Sequence, residues 1–251
     1  MTEMLKLNKL QIGYAPQGKQ KEPVSLSFPI EVIVNKGEMV ALTGPNGAGK
    51  STLFRTIAGF QNALEGSIII DGKQLNTLSL RQMSKLLSVV FTDRISDAYL
   101  SVFDVVATGR YPYINQWMKM SKTDKQIVHQ SMEMTGIARF ATRLFRSLSD
   151  GEQQKVLIAK ALAQQTPLII LDEPAAFLDY PSKLSLLKLL KKLCNETQKT
   201  ILLSSHDLEM IVRHVDKLWL MAPNLPLIAG MPSQLIENKS IEKYFGVAYS
   251  L

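Results

Sequence analysis

The sequence predicts an α/β fold: a mostly parallel sheet, an antiparallel N-terminal β portion and an inserted helical subdomain. Three observations predict it. A strand candidate, Glu38-Met-Val-Ala-Leu-Thr43, runs into a glycine-rich loop and then into a helix candidate, Ser51–Ala58, stopped by Gly59. Later runs such as Leu168-Ile-Ile-Leu171 and Thr200-Ile-Leu-Leu-Ser204 are almost continuously apolar, as strands covered on both faces are. Between Ile95 and Gln165 the β-branched runs vanish and apolar residues recur at three- and four-residue intervals, the helical spacing.

Taken in order, Leu5–Ile12 alternates apolar and polar residues, as an antiparallel strand does. Ala15–Pro23 holds proline, glycine and lysine and reads as a hairpin loop, and Ser25–Val34 as a second strand. Gly66–Asp71 is a strand closed by an Asp-Gly turn. Leu80–Leu87 reads as a short helix and Ser88–Phe91 as a further strand. Val102–Thr108, Thr123–Thr135 and Gly151–Ala163 are helices of the insertion, punctuated by a turn at Gly109–Tyr113. Helices are expected at Ser182–Cys194 and His206–His214, a strand at Lys217–Met221, and two short helices between Pro232 and Leu251. The chain thus reads as one domain over residues 1–251. Residues 1–92 and 166–251 form its core, and residues 93–165 form the helical insertion.

Composition narrows the function. No run of eighteen apolar residues is present, and the N-terminal residues lack the apolar segment of a signal peptide. The single cysteine, Cys194, rules out an internal disulfide and reads as a buried small residue in a helix. His129 and His214 read as surface residues. The net charge of +7 fits an anionic nucleotide, an anionic membrane surface or nucleic acid, but the basic residues are scattered, which weakens the last.

The chemistry starts at Gly44-Pro45-Asn46-Gly47-Ala48-Gly49-Lys50-Ser51-Thr52, the pattern GxxxxGK[ST]. Its glycines let backbone N–H groups approach a phosphate chain, Lys50 sets a point charge on the outer phosphates, and the Ser51 hydroxyl is placed to ligate Mg²⁺. Asp172 and Glu173 end an apolar strand. In a phosphate-loop protein an acid there holds Mg²⁺, usually through water, and a second beside it polarises the attacking water. Leu148-Ser149-Asp150-Gly151-Glu152-Gln153-Gln154 opens a helix, with Ser149 as N-cap, and is a second phosphate-binding helix start.

The ordered set GPNGAGKST, LSDGEQQ, LIILDEP and SSHD closely resembles the ATP-binding subunits of ABC transporters over essentially the whole chain. The resemblance implies ATP and Mg²⁺ as cofactors and ATP hydrolysis that drives transport. It implies that Ser149 and Gly151 touch the γ-phosphate bound by a second ATP-binding subunit, one cassette per chain favouring a homodimer. Asp150 replaces the family's usual glycine and Glu152 its usual glutamine, which sets acid near a phosphate. Asp179, in Ala176-Phe-Leu-Asp179, matches the loop that couples the two sites. His206 matches the switch histidine at the γ-phosphate, and Tyr14 the aromatic that stacks on adenine. Where the family has a glutamine that reaches Mg²⁺ and couples to the membrane subunits, this chain has Thr92, which implies a bridging water at the metal or a substitute in Asp93.

Gly109-Arg-Tyr-Pro112 is similar to a segment of importers for iron complexes, haem and cobalamin. The expected partners are therefore transmembrane permease subunits and a substrate-binding protein, with the chain peripheral on the cytoplasmic face of the membrane. Two rival functions are a soluble ABC-type ATPase acting on nucleic acid or the ribosome, and an ATP switch without turnover. The first lacks its usual coiled-coil insertion or second cassette, so no nucleic-acid partner is expected. Glu173 argues against the second.

Overall fold

In a computed structural model the chain is described over residues 2–16, 22–91, 99–114 and 119–246. Thr92 and Asp93 lie outside the described residues, as does most of the expected loop before Pro23. The N-terminal part builds an antiparallel sheet from β1 (Glu3–Gln11), β4 (Ile30–Asn35), β6 (Glu65–Ile70) and β7 (Lys73–Gln74), in the order β4-β1-β6-β7. A two-stranded ribbon, β2 (Gly13–Tyr14) with β3 (Val24–Ser25), leads into it. The expected strand over Ser25–Val34 is thus two strands. Pro29 lies between them and has no N–H to give to a ladder.

The second sheet has the order β12-β11-β5-β10-β9-β8. Its members are β5 (Met39–Thr43), β8 (Leu87–Val90), β9 (Leu168–Leu171), β10 (Thr200–Ser204), β11 (Lys217–Leu220) and β12 (Ile228–Gly230). Every pairing is parallel except β11 with β12. β12 escaped the sequence reading because three residues with one glycine give no usable alternation. The parallel strands sort alternate side chains between two cores. Met39, Ile169, Leu171, Ile201, Leu203, Leu218 and Leu220 face one, with α6 (Tyr180–Thr197). Val40, Leu42, Leu168, Ile170, Leu202 and Trp219 face the other, against α1 (Lys50–Ile57) and the antiparallel sheet. A strand flanked on both sides must be apolar at every position, which is why these runs show no alternation.

Two expected helices shrink. The one over Leu80–Leu87 closes at Met83 as α2 (Leu80–Met83), because Leu86 and Leu87 are drawn into the second core and Leu87 begins β8. The one over His206–His214 is only α7 (Leu208–Ile211), with His206 before it. His214 is half-buried rather than a plain surface residue, and its ring hydrogen-bonds the Met210 carbonyl at 2.8 Å. His129 is exposed beside the Phe103 ring. The short tail helices are α8 (Pro232–Glu237) and α9 (Ser240–Phe245). Cys194 is buried, and burial pushes its thiol up to about 12.

The insertion carries α3 (Val102–Ala107), α4 (Lys122–Met134) and α5 (Asp150–Ala163), around a third apolar cluster of residues between Val102 and Ala163. Gly109–Tyr113, expected as a turn, is a 3₁₀ segment over Thr108–Tyr113. α3, α4 and α5 each start with a serine cap and an acid three residues on that returns the bond, so each start is defined locally. α5 also reaches the core: Val156, Ala159 and Ala163 join the helical cluster, whereas Ile158, Ala161 and Leu162 join the first core.

Candidate active site

Three adjacent strands aim their C-terminal ends at one place. The register aligns Ser204 of β10 with Leu42 of β5, and Leu203 with Leu171 of β9. The loop after β5, the acids after β9 and the histidine after β10 are therefore neighbours in space although far apart in sequence. Open α/β sheets present ligand sites at this edge.

The loop after β5 is shaped for close approach. A Cβ on Gly44 would stand 1.8 Å from the Met221 carbonyl oxygen, so only glycine lets the loop leave β5 alongside β11. Gly49 caps α1 with φ +97°, in the left-handed region where glycine carries no steric penalty. α1 has no side-chain cap and no acid in its first turn. Its free N–H groups and positive dipole end are thus left to an anion. Lys50 is buried, and its ammonium donates to the carbonyls of Gly44 at 2.8 Å and Pro45 at 3.1 Å. Burial holds its pKa below the ordinary lysine range, opposed by the charges of Glu173 and Asp172. Thr52 is buried and shares a hydrogen bond of 3.4 Å with the hydroxyl of Tyr14, whose side chain is half exposed. Ser51 is exposed beside it.

The acids form a chain of hydrogen bonds. The Ser204 hydroxyl donates to Asp172 Oδ1 at 2.6 Å and accepts from the backbone N–H of Glu173 at 2.7 Å. Both Ser204 and Asp172 are buried. Glu173 sits at φ +49°, a conformation uncommon for a residue with a side chain and one that clusters at functional sites. Glu173 Oε2 lies 2.9 Å from Nδ1 of His206. An ionised carboxylate can only accept, so Nδ1 carries the proton in that bond. Ser204 was visible in the sequence only as context for His206. Nothing local marks a strand-end serine as the joint between two acids, because its partners are 31 and 32 residues away.

The residues around Ser149 form a separate group. Ser149 caps α5; its N–H and hydroxyl both donate to Glu152 Oε2, at 2.9 and 3.0 Å. Ser149 and Asp150 are exposed. Backbone and side-chain hydrogen bonds from Ser149 hold the Glu152 carboxyl below its ordinary range, aided by Arg143 and Arg139. A Cβ on Gly151 would make only ordinary contacts, the nearest 3.8 Å from Leu178 and Ser182. The fold of this chain therefore does not require a glycine there. Asp179 caps α6 through a 3.0 Å bond from the N–H of Ser182, between exposed Phe177 and Tyr180.

Among the described residues no three His, Cys, Asp or Glu side chains converge on a point. A hard divalent ion would thus be held as phosphate-loop sites hold Mg²⁺, by one hydroxyl, one carboxylate and phosphate oxygens. The free N–H groups of α1, the buried cation of Lys50 and the buried Asp172 suit a nucleoside triphosphate with that ion.

Comparison with known proteins agrees with this chemistry. The ABC transporter family profile matches residues 28–176. The chain is 35% identical over 242 residues to an uncharacterized ABC transporter ATP-binding protein of Methanocaldococcus jannaschii, covering 96% of this chain and 81% of that one. It is 33% identical to the petrobactin import ATP-binding protein of Bacillus anthracis, covering 87% of this chain and 80% of that one. Among solved structures, an inward-facing metal-chelate type ABC transporter superposes with a TM-score of 0.84 at 27% identity, covering 98% of this chain and 90% of that chain. A dimeric bacterial ABC transporter cassette superposes at 0.72 and 28% identity, covering 86% and 93%. With more than half of the chain inside the family profile and relatives matching nearly its full length, the chain belongs to the ATP-binding subunits of ABC transporters, a family of ATPases.

Proposed function

We propose that this subunit binds MgATP at residues 44–52, hydrolyses it with Glu173 as general base, and works in pairs to drive a separate permease that imports a metal chelate or a related corrinoid or haem. The single observation that supports the hydrolytic reading best is the chain from Asp172 through Ser204 to Glu173 and His206, beside Lys50.

In this reading the loop from Gly44 to Gly49 and the first N–H groups of α1 wrap the phosphates, and Lys50 leaves its carbonyl partners for the β/γ oxygens. Tyr14 stacks on the adenine, and its bond to Thr52 sets the ring at the edge of the loop. Ser51 and Asp172 would hold Mg²⁺, with Thr92 through water, or Asp93 in its place, as a further ligand. When bound, Mg²⁺ neutralises charge on the phosphate oxygens. Glu173 takes a proton from the attacking water. His206 orients Glu173 through Nδ1–H, and with its ring protonated it also donates from Nε2 to the γ-phosphate.

Ser149 and Gly151 serve a partner's nucleotide, with Asp179 between the two sites. Gly151 supports this: a position that its own fold leaves free for a side chain still carries none, as a close approach from outside requires. The dimeric cassette described above supports pairing. No helix among the described residues is long and apolar enough to cross a membrane, so transport needs separate membrane subunits. The net positive charge suits work at an anionic cytoplasmic leaflet. The import direction and cargo class rest on the Gly109–Pro112 segment and on the petrobactin and metal-chelate relatives. A substrate-binding protein completes such a system. The test is phosphate release by the purified chain, alone and with its permease in lipid. A chain that binds MgATP but releases no phosphate in either setting would overturn hydrolysis, and stimulation by a metal-chelate permease supports the import reading.

A further inference from the structure

Gly109–Pro112 resembles an importer segment, yet its arginine is not on the surface. Arg110 is only 4% exposed. Its guanidinium donates to Asp124 Oδ1 at 2.9 Å, to the Ala163 carbonyl at 2.7 Å and to Gln165 Oε1 at 2.9 Å. Asp124 is the return partner in the cap of α4, and Ala163 is the last residue of α5. One side chain thus ties α4 to the C-terminal end of α5. Gly109 allows this, since a Cβ there would stand 2.3 Å from the Lys160 carbonyl on α5.

The same point is tied to the core. The Tyr113 hydroxyl donates to the Gln164 carbonyl at 3.0 Å. The Gln164 side-chain amide donates to the carbonyls of Ser84 at 2.7 Å and Leu87 at 3.0 Å, at the entrance to β8. The Tyr113 ring lies under two cations, Arg110 of the insertion at 4.1 Å and Lys85 of the core at 5.3 Å. Leu87 opens β8 beside Leu168 at the start of β9, so the knot lies at the edge of the sheet opposite the acids after β9.

α5 joins this knot to Ser149. It spans fourteen residues, roughly 21 Å, with Ser149 at one end and Gln164 at the other. Its C-terminal half packs deep into the first core through Ile158, Ala161 and Leu162, whereas its first turn meets the core only at ordinary contact distance, at Gly151 beside Leu178 and Ser182. A tilt of about 10° at Gln164 would move the Ser149 end by about 4 Å, more than the length of a hydrogen bond. We propose that Arg110, Tyr113 and Gln164 form a hinge pin: positioning residues that set the angle of α5 on the core and so where Ser149 and Gly151 meet the partner's nucleotide. This rests on the reading that those two residues act in trans. On that basis the importer-like segment acts by holding the insertion at one angle, rather than by touching cargo or nucleotide.

The experiment uses the full chain. Gln164→Leu keeps the volume and removes both bonds to the core. Arg110→Lys keeps the charge and loses the fork that reaches three acceptors. Spin labels go on cysteines introduced at exposed Gln126 of α4 and Lys188 of α6, and pulsed dipolar spectroscopy reads their separation below the melting temperature. Cys194 stays unlabelled, being buried. In parallel, affinity for a fluorescent ATP analogue is measured, and ATP-driven dimerisation is titrated in a Glu173→Gln background.

The expected result is a broadened distance distribution, ATP-analogue affinity within about twofold of the parent, and about tenfold more ATP needed for half-maximal dimer, as loss of two hydrogen bonds of ordinary strength predicts. A generally loosened fold would also lower nucleotide affinity, so unchanged affinity separates the two. If Gln164→Leu keeps the parental distance distribution, or broadens it without changing the ATP needed for dimer formation, the pin is refuted. Gln164→Leu alone decides if Arg110→Lys does not fold. If Glu173→Gln with an intact pin fails to dimerise, the trans reading falls instead, and the distance measurement still decides whether the pin exists.

Discussion

The two ends of the catalytic apparatus are built differently. The group at the ends of β5, β9 and β10 is held within one chain: Lys50, Asp172 and Ser204 are buried and hydrogen-bonded, and the Thr43 hydroxyl at the end of β5 is the buried group there without a partner. The group at the start of α5 is open. Ser149 and Asp150 face outward, and the Ser149 hydroxyl is occupied by the carboxylate of Glu152 three residues away. The buried acids are preorganised to meet charge that develops in the reaction, whereas in the proposed function Lys50 exchanges its carbonyl partners for phosphate oxygens. In the proposed function the open group also exchanges an internal partner for an external one. On that reading one chain carries a nucleotide half-site and the complement for another.

Experiments can press on this contrast. The largest effect should come from Lys50→Ala. Its charge serves the phosphates rather than the core, so nucleotide binding or turnover should be lost while the circular dichroism spectrum stays native. Turnover at the parental rate would place the site elsewhere. Next, Glu173→Gln should bind MgATP and hydrolyse it about 10²–10⁴-fold more slowly, as loss of a general base does. The trapped state should show doubled mass in size-exclusion chromatography with light scattering. A strict monomer at saturating ATP would count against closure in trans.

A smaller effect is expected at Ser204. Ser204→Ala removes the joint between Asp172 and the Glu173 N–H, at a cost of about 1–3 kcal/mol in stability for the two hydrogen bonds lost. A lower melting temperature should accompany a loss of turnover smaller than that of Glu173→Gln. If turnover is unchanged, the acids are held by the strand ends alone. The smallest effect belongs to the open group. Glu152→Gln replaces an ionised acceptor with a neutral one, so Ser149 releases its hydroxyl more readily. In the Glu173→Gln background the ATP needed for half-maximal dimer should fall a few-fold, which double titration would show. No change would mean that Glu152 does not compete with the phosphate.

The two groups were also legible to different degrees. At the phosphate loop, chemistry and local conformation coincide. Glycines at fixed spacing, a lysine and a hydroxyl are needed at consecutive positions, so residues 44–52 can be read from the string alone. The helix starts at Ser101, Ser121 and Ser149 are equally local, since a cap and its return partner lie three residues apart. Where the sequence misled, a distant partner decided. Leu86 and Leu87 fit a helical repeat, yet the second core takes them into a strand. His214 is the local exception: it looked solvated, and the turn before it folds its ring onto the Met210 carbonyl four residues back.

What the sequence alone determined is the set of elements and the loop chemistry, because helix caps, glycine turns and apolar runs act within a few residues of themselves. What only the tertiary structure decided is which of those parts meet. Ser204 became the joint of two acids because parallel pairing sets β10 beside β9 in one register. Arg110 became a buried tie because α4 and α5 converge on it from 14 and 53 residues away. Such bonds form only after the chain has closed long loops, and the cohesion that closes them is spread over three apolar clusters. No short stretch of residues encodes that closure, so no short stretch could have announced the contacts it creates.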